Sequence, residues 1–230
     1  MKKMIILAMT IMATLTANAQ FEPGTLSLQP RVGGTGAFLT NAPDIDLGIN
    51  DKKLDSEPTG GVFVGADLEY QISNMFSVSA GVNWAQAGSG WKDLKLTGNG
   101  STTEIKDLKI ETSYVNVPIT FNFYVVKGLA LRTGVQMGFL TSADIKATIN
   151  ESGSSDGLKA KTELDKSIKD DFNKFDLSIP VGISYEFNSH FVIDARYNIG
   201  ITKVNKESEP DVKDSRNGVV AITLGYKFQI

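Results

Sequence analysis

Residues 219–230, Val-Val-Ala-Ile-Thr-Leu-Gly-Tyr-Lys-Phe-Gln-Ile, alternate between two kinds of side chain. Every even-numbered position from Val220 to Ile230 is large and apolar, whereas the odd-numbered positions are small or polar apart from Val219. A helix would scatter the apolar positions around its circumference, whereas a strand collects them on one face. The stretch therefore predicts a β-strand with one apolar face, and the solvent that this face meets decides the fold.

The same alternation recurs in seven earlier segments, so the chain carries eight predicted strands. Their first residues are about Leu26, Val62, Phe76, Tyr114, Leu129, Phe175 and Phe191. Long polar connections at 40–60, 88–111, 150–173 and 205–217 alternate with short ones at 73–75, 127–128 and 188–190. This layout predicts an all-β fold, an eight-stranded antiparallel up-and-down β-barrel with one rim of long loops and one of tight turns.

Within 150–173 the spacing of Leu164, Ile168 and Phe172 also fits a short helix. We favour a solvated charged loop there, because isolated short helices are marginal in water.

The N-terminus has the three parts of a secretory signal peptide. Lys2 and Lys3 supply the positive charge, residues 4–15 the apolar run, and Ala17-Asn18-Ala19 the small-residue cleavage site. We expect residues 1–19 to be removed and residues 20–230 to form the barrel domain, although a buried N-terminal helix is the alternative reading. The mature chain is therefore expected to leave the cytoplasm.

Composition removes several classes of function. The net charge of −3 gives no basic footprint for nucleic acid, and the absence of Cys excludes disulfides and thiolate sites. The single histidine, His190, lies in a short turn, where we expect it to be far from interior carboxylates and not part of a Ser-His-Asp set. The acidic stretch 44–51 resembles a calcium loop but lacks the full spacing and the closing Glu, so we interpret it as a solvated loop. We predict no catalytic residue, metal ligand or cofactor.

The polar positions of each strand, which alternate with the apolar ones and which we call the polar phase, indicate which face of the barrel meets water. A soluble carrier such as a lipocalin is apolar inside, and a membrane barrel is apolar outside. Here the polar phase is mostly Ser, Gly, Asn, Gln and Thr, and the lysines are concentrated in the loops, unlike a water-facing surface. We therefore place the polar phase in the bore, where charges need partners. The residues expected to form an interior ion-pair network are Arg31, Asp67, Glu69, Arg132, Glu186, Asp194 and Arg196.

Aromatic residues of the apolar phase are sorted toward the strand ends, as the two interfaces of a bilayer select. The group near the short turns is Tyr70, Phe76, Phe123, Phe187, Phe191 and Phe228, and the group nearer the long loops is Trp84, Phe139 and Phe175. These two belts predict a transmembrane barrel in contact with outer-membrane lipid. Pro118 and Pro180 lie within strands, so we expect local bulges or unpaired positions there.

Several runs resemble the strands of PorT-like outer-membrane β-barrel proteins. The runs are Tyr114-Val115-Asn116-Val117-Pro118-Ile119, Phe175-Asp176-Leu177 with Gly182, Ala195-Arg196-Tyr197-Asn198-Ile199-Gly200-Ile201, and Leu224-Gly225-Tyr226-Lys227-Phe228. The resemblance spans the mature chain and implies a small outer-membrane barrel in a family named for a member tied to protein secretion.

Together these patterns predict an integral protein of the cell outer membrane with a bore filled by side chains. The barrel-insertion machinery is an expected partner during biogenesis. The loops 40–60, 88–111, 150–173 and 205–217 are expected to face outside, where they could bind an extracellular or envelope protein. The alternatives are a narrow porin-type solute channel, a soluble periplasmic lipocalin-like carrier and, more weakly supported, an outer-membrane enzyme.

Overall fold

In the computed structural model the described regular structure is all β-strand apart from one 3₁₀-helix at Lys169–Asp171. The described residues are 21–40, 45–46, 53–54, 56–98, 101–152, 159–188, 190–206 and 214–230. The predicted signal peptide lies outside them, as does most of the acidic stretch 44–51. Among the described residues no helix has the length and apolarity needed to cross a membrane.

Eight long strands form a closed ring. They are β1 (Leu26–Thr40), β2 (Thr59–Ser73), β3 (Phe76–Trp91), β4 (Ser101–Val126), β5 (Leu129–Ser152), β6 (Phe175–Glu186), β7 (Phe191–Gly200) and β8 (Arg216–Tyr226). Each strand pairs antiparallel with the next along the chain. The last strand, β8, then pairs with β1 and closes the ring. The predicted eight-stranded up-and-down barrel is confirmed.

The apolar phase of every wall strand faces outward. On β8, Ile222 is 57% and Leu224 is 60% exposed, whereas Thr223 between them is buried. Phe121 on β4 and Ile183 on β6 are likewise exposed. Such a continuous apolar exterior is stable in lipid and not in water, which confirms a transmembrane barrel. The bore of the described wall is instead filled mostly by polar and charged side chains, unlike the apolar interior of a soluble lipid carrier.

The short connections are tight turns, as predicted. Residues 74–75 link β2 to β3, and residues 127–128 link β4 to β5, with Gly128 in the left-handed region at φ 80°. Strand β8 ends before Lys227, and the chain then returns to the sheet at Phe228–Gln229, which also pairs with β1. The final predicted strand is therefore real but has one irregular position.

The two strand prolines leave gaps in the pairing without bulges. Pro118 pairs with Gln136 on β5, but the β3–β4 ladder skips from Ile119 to Asn116 with no change of register. Pro180 pairs with Asn198 on β7, and the β5–β6 ladder likewise skips the two positions that include it. Each proline thus stays paired with one neighbouring strand and lacks a ladder hydrogen bond to the other strand, because proline has no N–H to donate.

Beyond the wall, β4 and β5 continue as a sheet, which we call the polar extension. It consists of Leu94–Gly98, residues 101–111 of β4, residues 144–152 of β5 and the edge strand Lys159–Ser167. The prediction that 88–111 and 150–173 are loops is wrong for most of their residues. The short helix is also wrong, since Leu164 lies in a strand and only Lys169–Asp171 forms a 3₁₀-helix. Because water reaches both faces of this sheet, its sequence shows no clear alternation of apolar and polar residues and resembles that of a loop.

The other two long connections contain little regular structure among their described residues. Short strands occur at Ile45–Asp46, Lys53–Leu54 and Ser56–Glu57 in the first of them. In the second, Asn205 forms an isolated bridge with Phe172.

Candidate functional site

The turn-side end of the bore holds a lysine cluster, which consists of Glu69, Tyr124, Glu186 and Lys227. Lys227 Nζ donates to Glu69 Oε1 at 3.1 Å, to Glu186 Oε2 at 2.9 Å and to the Tyr124 hydroxyl at 3.0 Å. The Tyr124 hydroxyl donates in turn to Glu69 at 2.6 Å. All four side chains are buried, so the cluster closes this end of the bore with one cation against two carboxylates.

The middle of the bore holds an arginine cluster, which consists of Arg31, Asp67, Arg132, Asp194 and Arg196. Asp194 contacts all three arginines, at 3.4 Å from Arg31, 3.0 Å from Arg132 and 2.7 Å from Arg196. Asp67 contacts Arg31 at 2.6 Å and Arg132 at 3.5 Å. With three cations against two anions, this cluster has one net positive charge, which offsets the net negative charge of the lysine cluster.

The structure divides the seven charged residues predicted for the bore between these two clusters. Glu69 and Glu186 lie with Lys227 and not with an arginine. Sequence reasoning left Lys227 out of the network, although its place in the polar phase of the last strand was the available signal. Tyr124 was also missed, because an aromatic residue in the polar phase gives no indication of its partner.

Neutral polar side chains fill the space around the charges. Arg132 Nε donates to Asn122 at 2.7 Å, Ser79 and Thr120 share a hydrogen bond of 2.6 Å, and Asn116 donates to Asn83 at 2.9 Å. Farther toward the long loops a cavity of about 30 Å³ is lined mainly by polar residues. That is room for about one or two water molecules.

An apolar cap closes the loop-side end of the bore. Its buried members are Ala37, Leu39, Ala87, Tyr114, Leu140, Ala143, Phe172, Val204 and Val219, with Ile110 and Ile168 packed against them. The backbone of Ile168 donates to Ala143 at 2.8 Å, and that of Asn173 donates to Val204 at 2.8 Å, which holds two predicted loops over the mouth. The sequence pattern placed Phe172 in a solvated loop and gave Val204 no role, so it did not predict this cap.

His190 is closer to the interior than predicted. Its Nδ1 lies 3.0 Å from Glu186 Oε1, and its ring stacks on Phe21 with centroids 4.6 Å apart. The expectation that this residue lies far from interior carboxylates is therefore wrong. His190 lies in this turn in the left-handed region, at φ 62°, and its side chain is half-buried.

The predicted belt residues all lie on the outer surface and are exposed or half-exposed. Near the turns, Phe76 stacks on Phe121 at 6.0 Å and Tyr226 packs between Phe191 and Phe228 at 5.1 and 4.7 Å. Near the long loops, Trp84, Val115, Phe139 and Phe175 are successive cross-strand partners on β3 to β6. The structure adds Tyr226 to the turn-side group. It also shows a Phe38–Tyr197 stack at 6.1 Å.

The polar extension carries ladders of opposite charges on its strands. Glu104 binds Lys95 at 2.9 Å and Lys106 at 3.1 Å. Glu111 binds Lys109 and Lys146, both at 2.7 Å. Hydrogen bonds from these lysines hold the pKa of both glutamates below the usual range.

The edge strand Lys159–Ser167 is the most accessible part of the extension. Residues 161–167 are all exposed, whereas residues 144–150 of its neighbour β5 are buried or half-buried. Lys161 and Glu163 form an ion pair of 2.6 Å along this strand. The strand has one partner among the described strands, β5, so its outer edge is open to another chain.

Nothing in the described residues assembles a metal site, since no group of three or more His, Asp or Glu side chains is suitably placed. The buried charged side chains of the two clusters form ion pairs with one another, which is the arrangement of a structural core. The exposed candidate for function is therefore the extension.

Among solved structures, the chain is similar to Ail, the attachment invasion locus protein of Yersinia pestis, crystallised with the heparin analogue sucrose octasulfate. The two are 15% identical over 89% of this chain and 99% of that one, with a TM-score of 0.41. Neisserial surface protein A is 16% identical over 88% and 97% of the two chains, with a TM-score of 0.40.

A third similar structure is the N-terminal β-barrel domain of Pseudomonas aeruginosa OprF. It is 10% identical over 90% of this chain and 100% of that one, with a TM-score of 0.31. No curated protein matches the chain. The family model described as "Outer membrane protein beta-barrel domain" matches residues 18–206, which is most of the sequence. The chain therefore belongs to the outer-membrane β-barrel domain family and is a protein of the outer membrane.

Proposed function

We propose that this protein is a closed outer-membrane barrel that displays the polar extension at the cell surface and binds a protein partner there. The observation that carries the proposal is the open edge strand Lys159–Ser167, whose residues 161–167 are all exposed. Exposed strand edges are templates for pairing with another chain. We assign no catalysis to the protein.

The closed bore supports this function over that of a solute channel. Ions crossing the bore would have to pass the lysine cluster, the arginine cluster and the apolar cap in turn. Each is made of side chains that contact one another directly, and eight strands leave just enough room for such a filling. The narrow porin-type channel is accordingly the alternative that the test must exclude.

The orientation of the extension follows from the ordinary asymmetry of outer-membrane barrels, which have short periplasmic turns and longer extracellular loops. The extension lies at the long-loop end, opposite the turns at 74–75 and 127–128. Its partner is then a protein in the medium, on another cell or in the envelope outside the membrane. The resemblance to PorT-like proteins makes a component of protein secretion one such class.

Two measurements test the proposal. In planar bilayers we expect no steady conductance from the folded protein, and a large, steady conductance would favour the channel. Because the chain has no cysteine, single-cysteine variants report topology without background. A membrane-impermeant maleimide is expected to label Lys161→Cys on intact cells and to leave Lys127→Cys unlabelled until the outer membrane is opened. The reverse pattern would place the extension in the periplasm and overturn the proposed function.

Partner binding is tested by photo-crosslinking. A photoreactive residue at Thr162 is expected to capture protein on intact cells, and the same residue at lipid-facing Val220 serves as the matched control. A variant in which an Asn-Gly turn replaces residues 148–163 would join Ala147 to its cross-strand partner Leu164. Capture that survives this replacement, with the probe at Lys106, would show that the edge strand is not the binding surface.

A further inference from the structure

The edge strand of the extension has the charge pattern of a self-complementary surface. Residues 159–165 read Lys-Ala-Lys-Thr-Glu-Leu-Asp, with basic residues before Thr162 and acidic residues after it. In an antiparallel pair, residues directly opposite each other have side chains on the same face and within contact distance. A strand whose two halves carry opposite charges can therefore pair with its own copy.

One register pairs every charge of residues 159–165 with an opposite charge. When Thr162 lies opposite the Thr162 of a second copy, Lys161 lies opposite Glu163 on both sides of the symmetry axis. Continuing outward, the sequence places Ala160 opposite Leu164 and Lys159 opposite Asp165. Charged residues then share one face of the new pair, and uncharged residues share the other.

The neighbouring registers pair the charged residues less favourably. Moving the symmetry axis by one residue places Glu163 opposite Glu163 in one direction and Lys161 opposite Lys161 in the other. Moving it by half a residue places Lys161 opposite Leu164 or Thr162. Like charges directly opposite each other destabilise a strand pair, so the sequence specifies the register centred on Thr162.

Among the strands that the structure describes, none covers this edge, so it can pair in that way. The strand is at the end of the sheet order, and its exposed side chains include Lys161 at 61% and Glu163 at 70%. These two residues already form an ion pair along the strand, so a second copy would turn the pair into a square of four alternating charges. Such a network is stronger than an isolated surface ion pair.

We propose that two copies of this protein pair antiparallel through residues 159–165, with a twofold axis at Thr162. This inference rests on the proposed function and names a second copy of the chain as the partner. The axis of an antiparallel pair is normal to the sheet. Since β5 runs unbroken from the turn end of the barrel into the extension, that normal lies roughly in the membrane plane. The two barrels therefore point in opposite directions and belong to facing membranes.

Charge exchange tests the pairing. The full-length protein is reconstituted into phosphatidylcholine–phosphatidylglycerol vesicles, and clustering is followed by light scattering. We expect wild-type vesicles to cluster and vesicles with Lys161→Glu alone or Glu163→Lys alone to cluster at least about tenfold more slowly, because each change opposes like charges twice. Mixing the two variant populations restores an opposite charge at every pair and is expected to restore clustering. The double variant is expected to cluster on its own.

A cysteine at the axis tests the register. The Cα atoms of opposed residues in an antiparallel pair are about 4.5–5.5 Å apart, which is within the Cα–Cα range of a disulfide. Thr162→Cys is expected to cross-link under mild oxidation, and Lys95→Cys, on the opposite edge of the extension, is expected to remain monomeric. Barrel folding of each variant is checked by its heat-dependent gel mobility.

The outcomes separate the two proposals. Mixed variant vesicles that fail to cluster would overturn the homotypic pairing, and the proposed function would stand if Thr162 still captured a different protein on cells. A Thr162→Cys dimer that forms within one membrane without clustering would overturn the facing arrangement. The absence of both clustering and capture would overturn both proposals.

Discussion

At the scale of residues, Lys227 is the side chain on which the turn-side end of the bore depends. Its ammonium is buried and is the cation bound by both Glu69 and Glu186. Removing one partner of a buried ion pair is more costly than replacing the whole pair, because it leaves a charge that neither water nor protein satisfies.

We therefore expect Lys227→Met to lower the free energy of unfolding by about 3–5 kcal/mol. Urea titration in lipid vesicles, read by gel mobility, measures the change. Adding Glu69→Gln and Glu186→Gln to the same variant should recover most of the loss. The exposed turn residue Lys127 supplies the control, since Lys127→Met should change stability by less than about 0.5 kcal/mol. Equal unfolding midpoints for Lys227→Met and wild type would refute this role.

For most wall residues the sequence predicts whether the side chain faces lipid or the bore, because a strand with lipid on one side has only two faces. Odd-numbered Thr223 and even-numbered Ile222 were assigned correctly from phase alone. Partners were not predictable in the same way, since they depend on register between strands distant in sequence. Asp194 meets Arg31, which is 163 residues away, and no local pattern carries that information.

At the scale of elements, the polar extension is the part of the fold for which the sequence pattern predicted loops and the structure has strands. The strands β4 and β5 are continuous in the structure, yet only their wall halves alternate between apolar and polar residues. Outside the membrane water reaches both faces, the need for an apolar face disappears, and the period-2 signal fades. A loop and a solvated strand then look alike in sequence. The apolar cap was missed for another reason: Phe172 and Val204, which complete it, lie between the long strands in segments too short to show a period.

The charge ladders predict that the extension loosens in acid before the barrel does. Hydrogen bonds from Lys109 and Lys146 hold the pKa of Glu111 low, so the folded extension gains stability above the pKa of an unfolded glutamate, about 4.3. That contribution is lost as the pH falls through the lower folded pKa.

A spin label at Thr148→Cys is expected to become more mobile between pH 7 and pH 3. The Glu104→Gln/Glu111→Gln background should show raised mobility already at pH 7 and a weaker response to acid. A label at Lys127→Cys, at the other end of the barrel, controls for global change. A mobility at Thr148 that is independent of pH would contradict the role of these glutamates.

The apolar cap predicts a local effect of Phe172. Its buried ring holds the segment around Ile168 against β5, where the Ile168 amide donates to Ala143. Phe172→Ala removes this packing, and we expect the amides of Ile168 and Asn173 to exchange at least about tenfold faster, with wall amides unchanged. Leu164→Ala, at an exposed position of the edge strand, is the matched control and should leave the cap amides unaffected.

At the scale of the whole molecule, the structure combines one closed ring with one open sheet made partly from the same two strands. In the wall, every backbone group lies between lipid and a packed bore, so an opened hydrogen bond has no water to replace it and costs several kcal/mol. In the extension, the same kind of bond can open into solvent at much lower cost. The boundary between the two regimes lies inside β4 and β5, near the loop-side aromatic residues, and at no break in the chain.

Hydrogen exchange along β5 should therefore divide one strand into two stabilities. We expect amides at 131–139, which pair with β4 throughout and with β6 except at 134 and 135, to exchange at least about a thousandfold more slowly than amides at 146–150 in the extension. Mass spectrometry of the protein in lipid vesicles, with peptides resolved across this strand, gives the ratio. A soluble sheet of the same length would show a gradual decline toward its end, because water would compete for hydrogen bonds everywhere along it. A step in protection at the membrane boundary would show that lipid, more than strand length or local sequence, determines where this protein is rigid, and a smooth gradient would contradict that account.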